Sequence, residues 1–278
     1  MSVLLSALFA GLIAILVTVA IERWGGVIGG FLATMPTTII PAAIGIYAAS
    51  KDHQAFVIAM CATPIGILLD AGFLSVWRSL PPHLPAWSSK KRLLVMLCAS
   101  LGLWTTTAIL AILGVEQLYA RGISPTTLAL VVTSVLIAWG VAACLRPIPA
   151  PKGDKKVGWL SLLSRGVLAA GAIGFSVWLS SVGGALASGL AATFPAIFVT
   201  TMVSLWLAQG EAVPTGAVGP MILGSSSVPA YGLLAILLFP NFHIAVATVL
   251  TWLGAVSLTT LPASWWLTRL RKKQAKQT

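Results

Sequence analysis

Acidic residues are scarce in this sequence, and one of them stands in an unusual place. Only six of the 278 residues are Asp or Glu. Five of them fall at the ends of apolar stretches or between them, whereas Asp70 lies inside a stretch that extends from about residue 54 to residue 78. A carboxylate in such surroundings is costly, and its simplest use is to carry a proton. Asp70 is therefore the candidate ion-coupling residue, for H+ or Na+, and a structural ion pair with Arg165 is the alternative.

Two Thr-x-Pro sequences, at 34–36 and 193–195, are a second source of chemistry. Proline removes a backbone donor and obstructs the preceding helical turn, so each apolar stretch is predicted to kink or break there. A helix that restarts after the break presents N–H groups and a positive dipole end to an anionic group, and nearby hydroxyls can cap the helix or bind a substrate. The predicted substrate-binding residues at these breaks are Thr34, Pro36, Thr37, Thr38, Thr193 and Pro195.

A third group of polar and helix-breaking residues lies between positions 214 and 229. Prolines, glycines and three consecutive serines interrupt an apolar run there, which is typical of an unwound segment lining a cavity. Ser225 and Ser226 are therefore further candidates for substrate binding. Glycines and prolines in such stretches either break helices or allow them to pack closely, and packing is the favoured interpretation for the glycines. The candidates are Gly25, Gly30, Gly184, Gly189, Pro64 and Pro220.

Several kinds of chemistry are not indicated. The acids and histidines are too few to converge on a polyvalent metal ion. The sequence contains no recognisable Ser/His/Asp set, pair of catalytic carboxylates or phosphate-binding glycine loop. Neither an enzyme nor a cofactor is therefore predicted.

The candidate groups must be positioned by membrane-spanning helices. Hydrophobic residues make up 58% of the chain, charged residues 8%, and the mean hydropathy is +0.98, whereas about a quarter of the residues in a soluble domain are charged. A bilayer core about 30 Å thick takes roughly 20 apolar residues as a helix, and the continuously apolar runs do not alternate as β-barrel strands would. The nine predicted spans are approximately 2–21, 25–50, 54–78, 92–115, 124–144, 158–181, 183–208, 212–238 and 242–268.

The basic residues predict the orientation of these spans. Fifteen of the 17 Lys and Arg residues fall in or next to the odd-numbered connections and the tail, and Lys51 and Arg121 are the other two. The positive-inside rule then places the N-terminus outside and the C-terminus in the cytoplasm of a multi-pass protein of a bacterial inner membrane. The net charge of +11 is thus mostly an orientation signal. It favours membrane lipid rather than nucleic acid as a partner, and the first span is expected to remain uncleaved.

The two halves of the chain resemble each other. The pattern G-x4-G-x2-A-T-x-P occurs at 25–36 and again at 184–195, and weaker matches follow. We interpret 1–118 (spans 1–4) and 158–268 (spans 6–9) as two copies of a four-helix unit. They are joined by 119–157, which holds linker span 5 and a basic loop, and are followed by a basic tail at 269–278. Because a single span separates the copies, their orientations in the membrane are predicted to be inverted.

Inverted repeats with interrupted helices are typical of secondary transporters. We therefore expect an all-α protein that moves a small anionic or zwitterionic organic solute by alternating access, with Asp70 as the candidate for proton coupling. The alternatives are an anion channel built on the same inverted repeats and a membrane accessory protein that does not transport. The expected substrate position is between spans 2 and 7, with spans 3 and 8 alongside.

Overall fold

The computed structural model describes residues 3–24, 35–146, 148 and 158–274, and within these ranges the chain is helical and contains no strands. A 3-10 turn, Pro81–His83, follows the third helix, and a π-helical turn, Val256–Thr260, joins the last two. The helices are α1 (Val3–Trp24), α2 (Ile39–Ala49), α3 (His53–Ser79), α4 (Ser89–Ala120), α5 (Pro125–Leu145), α6 (Trp159–Ser181), α7 (Ala185–Ala192), α8 (Ala196–Gln209), α9 (Ala212–Gly224), α10 (Ser227–Leu238), α11 (Ile244–Ala255) and α12 (Leu261–Gln274).

Seven helical segments of the described chain are long and apolar enough to cross a membrane, which makes this a polytopic membrane protein. Four are formed by α3, α4, α5 and α6, and the other three by the pairs α7–α8, α9–α10 and α11–α12. The first two predicted spans correspond to the shorter apolar segments Val3–Leu16 and Ile39–Ala49. The total of nine spans, the inverted repeats and the orientation stay predictions.

Helix α3 is the centre of the bundle. Of its most apolar window 72% is buried, against 28% for α4 and for α5. It begins where the Asp52 side chain accepts a hydrogen bond from the Ala55 N–H (2.7 Å), a standard N-cap. It packs against α4, α5, α7, α9 and α10. Large apolar side chains on the outer faces of α4 and α5 are exposed, as contact with lipid requires, among them Leu94, Leu110, Leu130 and Val131.

Small residues allow the remaining helices to approach closely. Helix α1 packs along α6, and a methyl group added at Gly11 would lie 2.9 Å from the Gly166 carbonyl oxygen. Close approach through small residues is a common way for helices to associate in lipid, where apolar side chains gain nothing by leaving the hydrocarbon. The first and sixth predicted spans are thereby paired.

Hydrogen bonds of Arg92 connect two loops at one end of the bundle. Arg92, at the start of α4, donates to Glu211 Oε2 (2.9 Å) and to the carbonyls of Leu84 and Pro85 (3.0 and 2.9 Å). Glu211 lies between α8 and α9, so the guanidinium joins two odd-numbered connections, which the predicted topology assigns to the same side. At the opposite end, the hydroxyls of Ser50 and Ser180 lie 3.2 Å apart and join the ends of the second and sixth spans.

We expect Arg92→Lys to lower the free energy of unfolding by about 1–2 kcal/mol, because a single ammonium cannot reproduce the forked contacts to several acceptors. The measurement is thermal and denaturant unfolding of the purified protein in detergent. Lys91→Gln is the matched control, since Lys91 is the exposed neighbour on the same helical turn. Equal stabilities of the two variants would show that the Arg92 network does not hold this end together.

Candidate functional site

The seventh predicted span is broken at its Thr-x-Pro sequence. Helix α7 ends at Ala192 and α8 begins at Ala196, with a non-helical joint at 193–195. Thr193 is 5% exposed, and its hydroxyl donates to the Leu190 carbonyl at 2.8 Å. The hydroxyl therefore satisfies an acceptor of the half-helix that ends, and it does not cap the half-helix that begins.

Close contacts hold the first half of this span, α7, against its neighbours. Gly189 lies directly against the carbonyl of Ala59 on α3, where a methyl group would overlap the oxygen. Ser188 and Ser176 of α6 bind each other reciprocally, each hydroxyl donating to the other's carbonyl at 2.8 Å. Gly189 therefore lies at a point of close approach between α7 and α3. Gly184, the first glycine of the same sequence pattern, precedes α7, and its N–H donates to the Leu179 carbonyl (2.9 Å).

Asp70 is buried beside this joint. It is 2% exposed and lies one helical turn beyond Gly66 on α3, and Gly66 contacts Thr193 at the break. The indole N–H of Trp104 on α4 donates to Asp70 Oδ1 at 2.8 Å. The same indole ring meets Phe194 of the joint edge to face, with ring centroids 5.3 Å apart. Trp104 therefore connects the buried carboxylate of Asp70 to the helix break, because it contacts both.

Arg165, the alternative partner of Asp70, binds elsewhere. It is 7% exposed, and its Nε and Nη2 donate to the hydroxyls of Thr200 (3.2 Å) and Thr201 (2.8 Å) on α8. Among the described contacts of Asp70 there is no ion pair with Arg165. The guanidinium instead places positive charge next to the first two turns of the half-helix that restarts after the joint.

The first Thr-x-Pro copy is described only after residue 34. Pro36 is buried, and α2 begins at Ile39, so a helix starts shortly after the proline in this copy too. Thr37 and Thr38 are half-buried, and Thr38 precedes α2 without capping it through its side chain. The remaining candidates of this copy, Gly25, Gly30 and Thr34, lie outside the described residues.

The interruption in the eighth span is a two-residue turn instead of the expected unwound segment. Helices α9 and α10 are separated only by Ser225 and Ser226, whose hydroxyls donate to the carbonyls of Ile222 (2.8 Å) and Leu223 (2.7 Å). Serine can bind the carbonyls of its own preceding turn in this way, so few backbone acceptors are left for a cavity.

The prolines Pro64 and Pro220 do not break their spans. Pro64 lies within α3 and Pro220 within α9, and the eighth span is interrupted only at Ser225 and Ser226. Membrane helices can continue through proline because neighbouring groups satisfy the freed carbonyl. Both residues are therefore packing positions in this structure.

A pocket of about 380 Å³ opens at the end of the molecule away from the Arg92 network. Beneath it, the rings of Tyr47, Phe56 and Phe239 are in mutual contact, with centroids 4.9 to 5.6 Å apart. This pocket was not predicted from the sequence. The lining residues are Tyr47, Ser50, Asp52, His53, Phe56 and Pro240.

Sequence reasoning also missed Trp104 and Phe194. From sequence alone, a buried tryptophan in an apolar stretch looks the same as one that faces lipid. The only signal was that Trp104 falls in one of the weak matches between the two halves of the chain. Comparison with protein-family models, characterised proteins and solved structures finds no match. The functional argument therefore depends on the geometry of the site.

We expect Gly66→Ala to destabilise the protein by about 1–3 kcal/mol, because the added methyl group would overlap Thr193 Oγ1. Gly72→Ala on the same helix is the control, since nothing lies within 4 Å of the added methyl group there. Thr193→Ala in the Gly66→Ala background should restore part of the loss. Unfolding midpoints of the four proteins test the contact, and the absence of any rescue would place the strain elsewhere.

Proposed function

We propose that this protein is a secondary transporter that moves a small anionic or zwitterionic organic solute by alternating access, with Asp70 as the carrier of a coupled proton. The observation that carries the proposal is the buried Asp70 in contact, through Trp104, with the broken seventh span. An acid inside a membrane protein marks an ion pathway by default, and a broken helix near it marks a substrate site.

The helix contacts support an inverted repeat. In the first repeat the third span packs on the fourth, as α3 on α4. In the second repeat the equivalent eighth span packs on the ninth, as α10 on α11, and the equivalent first and sixth spans pack on each other. The third and eighth spans, which the repeat makes equivalent, also pack on each other. Under this proposal the basic loops face the cytoplasm of a bacterial inner membrane, with the N-terminus outside.

Positive charge near the joint favours an anionic group on the solute. The N-terminal end of α8 carries the positive end of the helix dipole, and the Arg165 guanidinium is bound to Thr200 and Thr201 in the next turn. A carboxylate or phosphate in front of this end would be stabilised by both. The proposed substrate position is between the second and seventh spans, with the third and eighth alongside.

The first experiment identifies the solute class. Purified protein is heated in the presence of small monocarboxylates and dicarboxylates, amino acids and phosphate monoesters. A ligand at 100 times its dissociation constant stabilises the folded state by about 2.7 kcal/mol, which raises the unfolding temperature measurably. The compounds that stabilise the protein are then used as radiolabelled solutes for flux into proteoliposomes.

We expect Asp70→Asn to abolish accumulation driven by a pH gradient while exchange of solute across the membrane continues. The amide keeps the size of the side chain but cannot carry a proton. Asp52→Asn is the matched control, because Asp52 is an exposed helix cap at the bundle end and asparagine caps equally well. Undiminished gradient-driven uptake in Asp70→Asn would remove the coupling role.

The same assay separates the alternatives. Downhill flux of anions with no accumulation under any gradient would identify a channel. Absence of both flux and stabilisation by any compound would favour an accessory protein.

A further inference from the structure

We propose that Trp104 is a positioning residue that transmits the protonation state of Asp70 to the joint between α7 and α8. This inference rests on the proposed function, in which Asp70 gains and loses a proton. Trp104 is 8% exposed, so lipid and water are excluded from most of its surface. Its two described polar and aromatic partners are the carboxylate on α3 and the ring of Phe194 in the joint.

The chemistry of the indole makes it sensitive to the charge of its partner. The Nε1–H group can only donate, and its bond to an ionised carboxylate is charge-assisted and therefore about twice as strong as one to a neutral acceptor. When a proton binds the carboxyl group of Asp70, the negative charge is lost and this hydrogen bond weakens. A carboxylate oxygen forms an O–H bond with a proton that a hydronium ion releases, leaving water, and no other covalent bond changes.

The rigid indole links the hydrogen bond with Asp70 to the position of the Phe194 ring. The donor nitrogen and the face or edge that meets Phe194 belong to one planar group, so a rotation about the side-chain bonds moves both together. Phe194 has non-helical backbone, with Thr193 fixed against Gly66 on one side and Pro195 on the other. A shift of its ring therefore acts where the direction of α8 is set.

Other ionisable groups on the elements around α3 do not account for such a link. Glu211 is paired with Arg92 at the end of the bundle, and Arg165 of α6 is bound to α8. None of the ionisable groups on these elements is among the described contacts of Asp70. They are Tyr47 on α2, Lys90, Lys91, Arg92, Cys98, Glu116 and Tyr119 on α4, Cys144 on α5, Arg165 on α6, Glu211 before α9 and Tyr231 on α10, and α3 itself carries His53, Cys61 and Arg78.

The experiment follows both ends of the link by NMR as the pH is changed. The protein is labelled with 13C at the aspartate carboxyl carbon and with 4-fluorophenylalanine. There are only three aspartates and nine phenylalanines, so Asp70→Asn and Phe194→Leu assign the two resonances. We expect the 19F signal of Phe194 to change with the same midpoint as the carboxyl signal of Asp70, and to stay constant in Asp70→Asn.

Trp104→Phe tests the link itself, because it keeps an aromatic ring next to Phe194 and removes the N–H donor. In this variant the Asp70 signal should still titrate while the Phe194 signal becomes independent of pH. Gradient-driven accumulation should fall by about tenfold or more, as expected for the loss of a hydrogen bond to a charged group, with exchange retained. Trp139→Phe, an exposed position on α5, is the control and should change neither.

A second variant approaches the link from its other end. Phe194→Leu leaves the indole and its hydrogen bond in place, so the Asp70 signal should titrate as in the wild type while accumulation is lost. A Phe194 signal that follows Asp70 unchanged in Trp104→Phe would overturn the inference, as would a Phe194 signal that ignores a titrating Asp70 in the wild type. An Asp70 signal that does not titrate at all would instead overturn the coupling role in the proposed function.

Discussion

The hydrocarbon core of a bilayer provides no hydrogen-bond partners, and this constraint explains the local structure of the interruptions at 193–195 and 225–226. Each helix end inside the membrane must satisfy its own carbonyls. Thr193, Ser225 and Ser226 do so with hydroxyls that bind the preceding turn. The same constraint applies to the acid on α3, which accepts from the indole of Trp104. The polar groups at these positions are thus hydrogen-bonded to defined neighbours.

The two halves of the seventh span share one partner and differ in another. Both are bound to α6, α7 through Ser188 and α8 through Arg165, and α7 is also packed closely against α3 through Gly189. The joint between them is held by turn-type hydrogen bonds, in which the N–H groups of Thr193 and Phe194 donate to the carbonyls of Leu190 and Ala191 at 3.1 Å each. Under the proposed transport function, a change of direction at this joint would move α8 relative to α7 and α3.

Much of the helical framework follows from the sequence, because apolar length is a strong signal. The predicted spans 54–78 and 124–144 agree closely with α3 and α5, and the break at 193–195 is where proline placed it. Asp70 was recognised because a lone acid in an apolar run is conspicuous. Its hydrogen-bond partner Trp104 was not predicted, because whether Trp104 or Arg165 reaches Asp70 depends on how distant spans pack. The continuity of α3 through Pro64 likewise depends on neighbours that the local sequence does not reveal.

A change of direction at the joint in the seventh span would displace the far end of α8 more than its near end. With 14 residues the helix is about 21 Å long, so a tilt of about 10° at the joint displaces its far end by about 4 Å. At that end the indole N–H of Trp206 donates to Ser89 at 3.0 Å, next to the Arg92 network. A hydrogen bond does not survive a displacement of that size. A tilt of α8 of this size at the joint would therefore break the contact between Trp206 and Ser89 at the end of the bundle.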